Sequence, residues 1–169
     1  MKKIIFFLAL FVGFSLTSQA QQDKSKRVSP PDSLTVKTES GVTITINYSR
    51  PSLKGRELVT LAPLNAVWRT GANEATTFEV DKDVTVNGQA LKAGKYSLYT
   101  IPGEIESTVI FNKTWKQWGT QYKKEDDALR IQVLTKAGNP IVETFTISAN
   151  KQGLVKLAWG DVSLDFEVK

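Results

Sequence analysis

Nine consecutive residues, Trp68-Arg69-Thr70-Gly71-Ala72-Asn73-Glu74-Ala75-Thr76, hold an indole, a guanidinium, a carboxamide and a carboxylate around one glycine. Arginine recognises carboxylate or phosphate through a two-pronged fork of N–H donors. Asn73 and Glu74 would orient hydroxyls or amides, and tryptophan would supply an apolar platform. The preceding stretch Tyr48 to Arg56 adds Arg50 and Arg56. A later one, Asn112-Lys113-Thr114-Trp115-Lys116-Gln117-Trp118-Gly119, adds two tryptophans and is followed by Tyr122. Arg50, Arg56, Trp68, Arg69, Asn73, Glu74, Tyr99 and Trp118 are the candidate binding residues. The ligand they suggest is small and polar or anionic. The same residues support a second reading, as a brace. In it Arg69 pairs with Glu74, Asn73 caps a turn by bonding backbone, and the tryptophans plug one end of the fold. At the level of sequence both readings stand.

Familiar catalysis is restricted by what the chain lacks. It has no histidine and no cysteine. That removes the serine–histidine and cysteine–histidine nucleophile systems and zinc sites with imidazole or thiolate ligands. A hydrolase or lyase would need Glu74 as acid–base, helped by Arg69 or Lys95, with the Glu74 pKa raised in a cleft. Ser148-Ala149-Asn150-Lys151 spells S-x-x-K, but its companion motifs are missing and it sits at a strand end. Asp81-Lys82-Asp83 lacks the rest of a calcium loop. The expectation is a domain without metal or cofactor, more a binder than an enzyme.

These residues must be positioned by β-structure. Val42, Ile44, Ile46 and Tyr48 share one parity, and Val162, Leu164, Phe166 and Val168 another. Alternation of this kind means strands with one wet face. Asn87-Gly88 is a two-residue hairpin signal. Gly138-Asn139-Pro140 and Gly160-Asp161 read as turns between further strands. Helix is limited to one turn within 57–64, before Pro63 disturbs it, and a short helix or wide loop over 113–124. If the latter is helical, Trp115, Trp118 and Tyr122 share a face. The predicted fold is all-β: one antiparallel β-sandwich or jelly-roll-like domain of about nine or ten strands.

Lys2 and Lys3, the apolar run Ile4–Leu16 and the small-x-small triplet Ser18-Gln19-Ala20 read as a secretory signal peptide. Cleavage after Ala20 leaves residues 21–169, with a flexible leader over 21–31 and a single domain over 32–169. That run of thirteen residues, apolar apart from Gly13 and Ser15, falls short of the ~20 a spanning helix needs, so stable membrane insertion is not expected. The formal net charge of +5 falls to +3 once Lys2 and Lys3 are gone. The remaining lysines are scattered rather than striped, which argues against nucleic acid. An exported, cysteine-free domain must hold itself together by packing. The expected location is the periplasm or outside the cell.

The string Tyr48-Ser49-Arg50-Pro51-Ser52-x-Lys54-Gly55-Arg56, then Val67 to Thr76, then Leu91-x-Ala93-Gly94-x-Tyr96-Ser97-Leu98-Tyr99-Thr100, then Phe111-Asn112 and Trp118-Gly119, resembles domain of unknown function 2911. The likeness runs from about Ser29 to Lys169. It implies a small exported β-rich protein of Gram-negative bacteria, sometimes fused to helical repeats. It implies no activity, cofactor or catalytic residue. One departure is Arg56-Glu57-Leu58-Val59, where members often carry Ile-Phe-Gly before the leucine. That leaves open where the expected helical turn begins.

Overall fold

The computed structural model describes residues 23–169. The expected signal peptide lies outside the described residues. Among the described residues nine strands form: β1 Pro31–Lys37, β2 Thr43–Ser49, β3 Thr77–Val80, β4 Val84–Val86, β5 Gln89–Leu91, β6 Gly94–Ile101, β7 Glu106–Asn112, β8 Asp127–Ala149 and β9 Leu154–Glu167. One short helix, α1, spans Leu58–Leu61. Seven strands make one antiparallel sheet in the order β1-β2-β3-β6-β7-β8-β9, and β4-β5 is a separate hairpin. The all-β class is as the alternation predicts.

The sheet curls because its longest strand changes partner. Glu106–Phe111 of β7 pairs with the first third of β8, whereas Thr135–Ala149 of β8 pairs with β9. The chain leaving β2 then turns back onto β8. Pro51 O accepts the Phe145 N–H at 2.8 Å and Glu143 O accepts the Leu53 N–H at 2.9 Å. The hairpin closes the other flank, with Thr85 and Lys169 exchanging backbone hydrogen bonds of 2.7 and 2.9 Å. Such closure covers strand edges that would otherwise recruit other chains. Ile44, Ile46, Phe78, Leu98, Phe111 and Phe166 fill the interior. Phe78, Phe111 and Phe166 meet at ring separations of 5.0 to 6.1 Å.

Turn signals divide into true turns and bulges. Asn87 and Gly88 both take positive φ, 47° and 79°, and link β4 to β5 as predicted. Gly138-Asn139-Pro140 does not end a strand: β8 runs through it, and the register skips from Ala137↔Val162 to Val142↔Gly160. Proline cannot donate to a ladder, so the chain bulges there instead of turning. Gly160-Asp161 is likewise a bend inside β9, with Gly160 at φ +61°.

The outer face is partly covered. Ser97 and Tyr99 of β6 and Asn112 of β7 are fully buried, though none of them belongs to the main core. The segment 113–123 crosses over them. Ser97 Oγ donates to Thr114 O at 2.8 Å, Gln117 Nε2 to the Tyr99 hydroxyl at 3.0 Å, and Asn112 Nδ2 to Lys123 O at 2.8 Å. This crossing is the wide loop of the two expectations, ending in a 3-10 turn at Lys124–Asp126. β6 and much of β7 are therefore buried on both faces.

Candidate functional site

The polar motif folds into a tight knot between β6 and the covering loop. Trp68 and Thr100 exchange backbone hydrogen bonds of 2.7 and 3.0 Å. Thr70 is fully buried, and its carbonyl accepts the Thr76 hydroxyl at 2.6 Å. Gly71 sits at φ +149°, and a Cβ there would lie 2.8 Å from Thr76 Oγ1 and 3.1 Å from Ser49 O. Only glycine fits that position. Asn73 takes φ 61°, donates its amide to Ser29 O at 3.1 Å and accepts the Gly119 N–H on its carbonyl at 3.0 Å. Asparagine tolerates this left-handed conformation better than other non-glycine residues.

The arginine and glutamate of the motif do not meet. Glu74 binds the leader: Arg27 Nη1 lies 2.7 Å from its Oε2 and Lys24 Nζ 3.0 Å from its Oε1. Residues 24–30 are thus seated on the domain, where the sequence reads as a flexible leader. Arg69 has no carboxylate partner among the described residues. Its Nε reaches Gly71 O at 3.4 Å, and its stem lies against Gly119, where a Cβ would fall 2.7 Å from Arg69 Cδ. Partial burial pushes the Glu74 pKa up, but its own backbone N–H, Arg27 and Lys24 outweigh it, and the net value is about 2. A carboxylate so held is ionised at neutral pH and has no proton to give. The raised pKa that a Glu74-based hydrolase or lyase requires is the reverse of what is found.

The other candidates are dispersed. Arg50 fills the seam between β1–β2 and β8, with Nε donating to Phe145 O at 3.2 Å, Nη2 to Thr146 Oγ1 at 2.9 Å, and Nη1 lying 3.4 Å from Asp32 Oδ2. Arg56 folds back on its own loop, donating to Leu53 O and Ser52 O, both at 2.9 Å. Tyr99 is buried beneath the covering loop, its ring 4.9 Å from Tyr122. Burial raises its pKa, with Gln117 and Ser97 partly offsetting this. Trp118 is half-exposed, and its backbone pairs with that of Glu74. Trp115, Trp118 and Tyr122 share no helical face, because 113–123 is not helical. Trp68 stands alone as a wall residue, stacked on Trp159 at 5.3 Å and edge-on to Phe145 at 5.1 Å. The eight residues therefore converge on no single cavity.

A different set does converge. Ser33, Asn47, Thr77 and Ser97 are direct cross-strand partners along β1, β2, β3 and β6. The last of them lies under the covering loop; the first three line an open groove of about 660 Å³. Trp115, Lys116 and Gln117 border it, together with Lys24 and Glu74. Lys95 Nζ lies 4.8 Å over the Trp115 ring and 3.1 Å from Glu79. The sequence hides this row because a register spanning four strands is non-local; only the outward parity of Asn47 was available.

A family model, described as "Protein of unknown function (DUF2911)", matches residues 29–168. The chain belongs to the DUF2911 family. No curated protein and no solved structure gives a significant match. The matched span of DUF2911 begins within the seated leader and takes in the knot, the covering loop and the whole curled sheet. Among the described residues no group of three or more His, Cys, Asp or Glu side chains is placed to hold a metal.

Proposed function

We propose that this domain is a non-catalytic binding module for a small polar ligand, seated in the groove on the outer face of β1–β3. The supporting observation is the row Ser33–Asn47–Thr77, a floor of short hydroxyl and amide groups on a rigid sheet, walled by Trp115. Sites built on strands hold their groups more accurately than sites on loops. The lining charges are mostly spent: Lys24 on Glu74, Asp32 on Arg50 and Lys95 on Glu79. Lys116 is the one lining ion without an ion-pair partner among the described residues. This balance suits a neutral or singly anionic, hydroxyl-rich molecule rather than a phosphate, which would call for an arginine fork.

The test is a panel of neutral saccharides, uronates, short peptides and phosphate esters, read by thermal shift. A ligand of the native state raises Tm by mass action. Neutral saccharides or uronates should give a saturable rise that Asn47→Leu and Trp115→Ala abolish. A rise with phosphate esters alone, or none with any class, contradicts the proposal.

A second reading, that the motif is an internal brace, is supported by the hydrogen bonds inside it. Thr70, Asn73 and Thr76 spend their polar side chains on Thr100, Ser29 and one another, which leaves little for a ligand. The two readings are compatible, with the knot positioning the loop that walls the groove. The signal-like residues 1–20 favour a module that works outside the cytoplasm.

A further inference from the structure

A cleft of about 220 Å³ opens where α1 meets the bends of β8 and β9. We propose that it is a second binding site, separate from the groove, for an uncharged molecule carrying one aromatic ring or a short alkyl chain. Four observations fix that chemistry. The first is the wall: Trp68 and Trp159 stack with their planes 19° apart, and Phe145 stands edge-on to Trp68. Flat aromatic surfaces of this kind take a ring or a chain by offset contact.

The second is size. An apolar cavity of about 150 Å³ binds benzene, so this cleft holds one substituted ring or a chain of roughly six carbons, and no more. The third is the state of its polar groups. Ser107 and Thr135 bond each other at 2.8 Å, Thr135 donates to Gly103 O at 2.8 Å, and the Trp159 indole N–H donates to Glu143 O at 3.2 Å. These groups are already satisfied, which leaves the Ser163 hydroxyl and the Asp161 carboxylate without a hydrogen bond among the described residues, so recognition falls mainly to apolar contact. The fourth is the mouth. Val59 and Leu64 lie there 46% and 39% exposed, apolar surface that an occupant would cover. Asp161 also lines the mouth and has no ion pair among the described residues. A carboxylate-bearing ligand is repelled there, which separates this site from a fatty-acid pocket. Gly160 sets the wall, since a Cβ there would come within 3.3 Å of Leu58.

The experiment is an NMR titration of the ¹⁵N-labelled protein with toluene, 1-hexanol and hexanoate at pH 7. Toluene and hexanol should shift the amides of Ala62, Trp68 and Leu157 saturably. Hexanoate should bind about fivefold more weakly than hexanol, the worth of a like charge about 4 Å away in water. Asp161→Asn should close that gap. Ala62→Leu fills the cleft and should weaken toluene at least about tenfold, because a packed core does not yield to extra methylenes. Should that variant fail to fold, Leu64→Asp at the exposed mouth serves instead and should also weaken toluene. Asn47→Leu should leave all three titrations unchanged, so failure of the groove and failure of the cleft are told apart. Unsaturable shifts with toluene and hexanol, hexanoate binding as tightly as hexanol, or toluene binding untouched in the cleft variants would each overturn the proposal.

Discussion

At the scale of residues, the motif Trp68–Thr76 is held by backbone geometry more than by charge. Gly71 has no room for a Cβ, with Thr76 Oγ1 at 2.8 Å and Ser49 O at 3.1 Å from where one would sit. Gly71→Ala is expected to lower stability by about 2–4 kcal/mol, from clash and positive φ together, in urea unfolding. An unchanged midpoint would show that the knot relaxes freely. Glu74 is a milder case, because its carboxylate is 41% exposed. Removing it should cost about 0.5–1 kcal/mol at pH 7. Its folded pKa, about 2, lies below the unfolded one, so its stabilisation is present above the usual carboxylate range and fades as pH falls towards 2. Glu74→Gln and the wild type should therefore converge in stability near pH 2. A gap that persists there would mean that Glu74 acts through something other than its charge. The motif's residue types were plain in the sequence. Their partners were not, because the cations on Glu74 come from a leader some 47 residues upstream.

At the scale of elements, closure of the sheet depends on the seam between β1–β2 and β8. Arg50 spans it with two hydrogen bonds and an ion pair, and the Tyr48 hydroxyl accepts the Ile147 N–H at 3.1 Å. Arg50→Met keeps the stem and removes the bonds. It should destabilise by about 1–2 kcal/mol, since bonds to a charged group contribute more than neutral ones but this one is partly solvated. Amide exchange at Thr146 and Ile147 should quicken before the rest of β8; uniform exchange would mean the seam opens only with global unfolding. Elements were legible where parity is unbroken, as at Ile44, Ile46 and Tyr48. They were misread at Gly138-Asn139-Pro140 and Gly160-Asp161, because a glycine or proline that ends a strand looks the same as one that bulges it. Whether the strand resumes with the same partner is decided across the sheet, by β9 for Gly138-Asn139-Pro140 and by β8 for Gly160-Asp161.

At the scale of the whole molecule, the fold is a curled sheet with three additions on it: the seated leader, the covering loop 113–123 and the β4–β5 hairpin. Two of the three border the groove, which is why a polar row on a sheet becomes the floor of a walled, open groove. Export is expected to remove residues 1–20, so the intact mass of protein recovered from its native host should correspond to a chain starting at Gln21. A chain retaining Met1 would contradict the secretory reading. In the proposed function the ligand meets Ser33, Asn47 and Thr77 rather than Arg69 and Asn73. The most direct test of this is amide shift mapping with a neutral disaccharide such as maltose and a uronate such as glucuronate. The predicted result is saturable shifts at Ser33, Asn47, Thr77 and Trp115, with Arg69 and Asn73 unmoved. Saturable shifts centred on Arg69–Glu74, or none along the β1–β3 row with either probe, would contradict it.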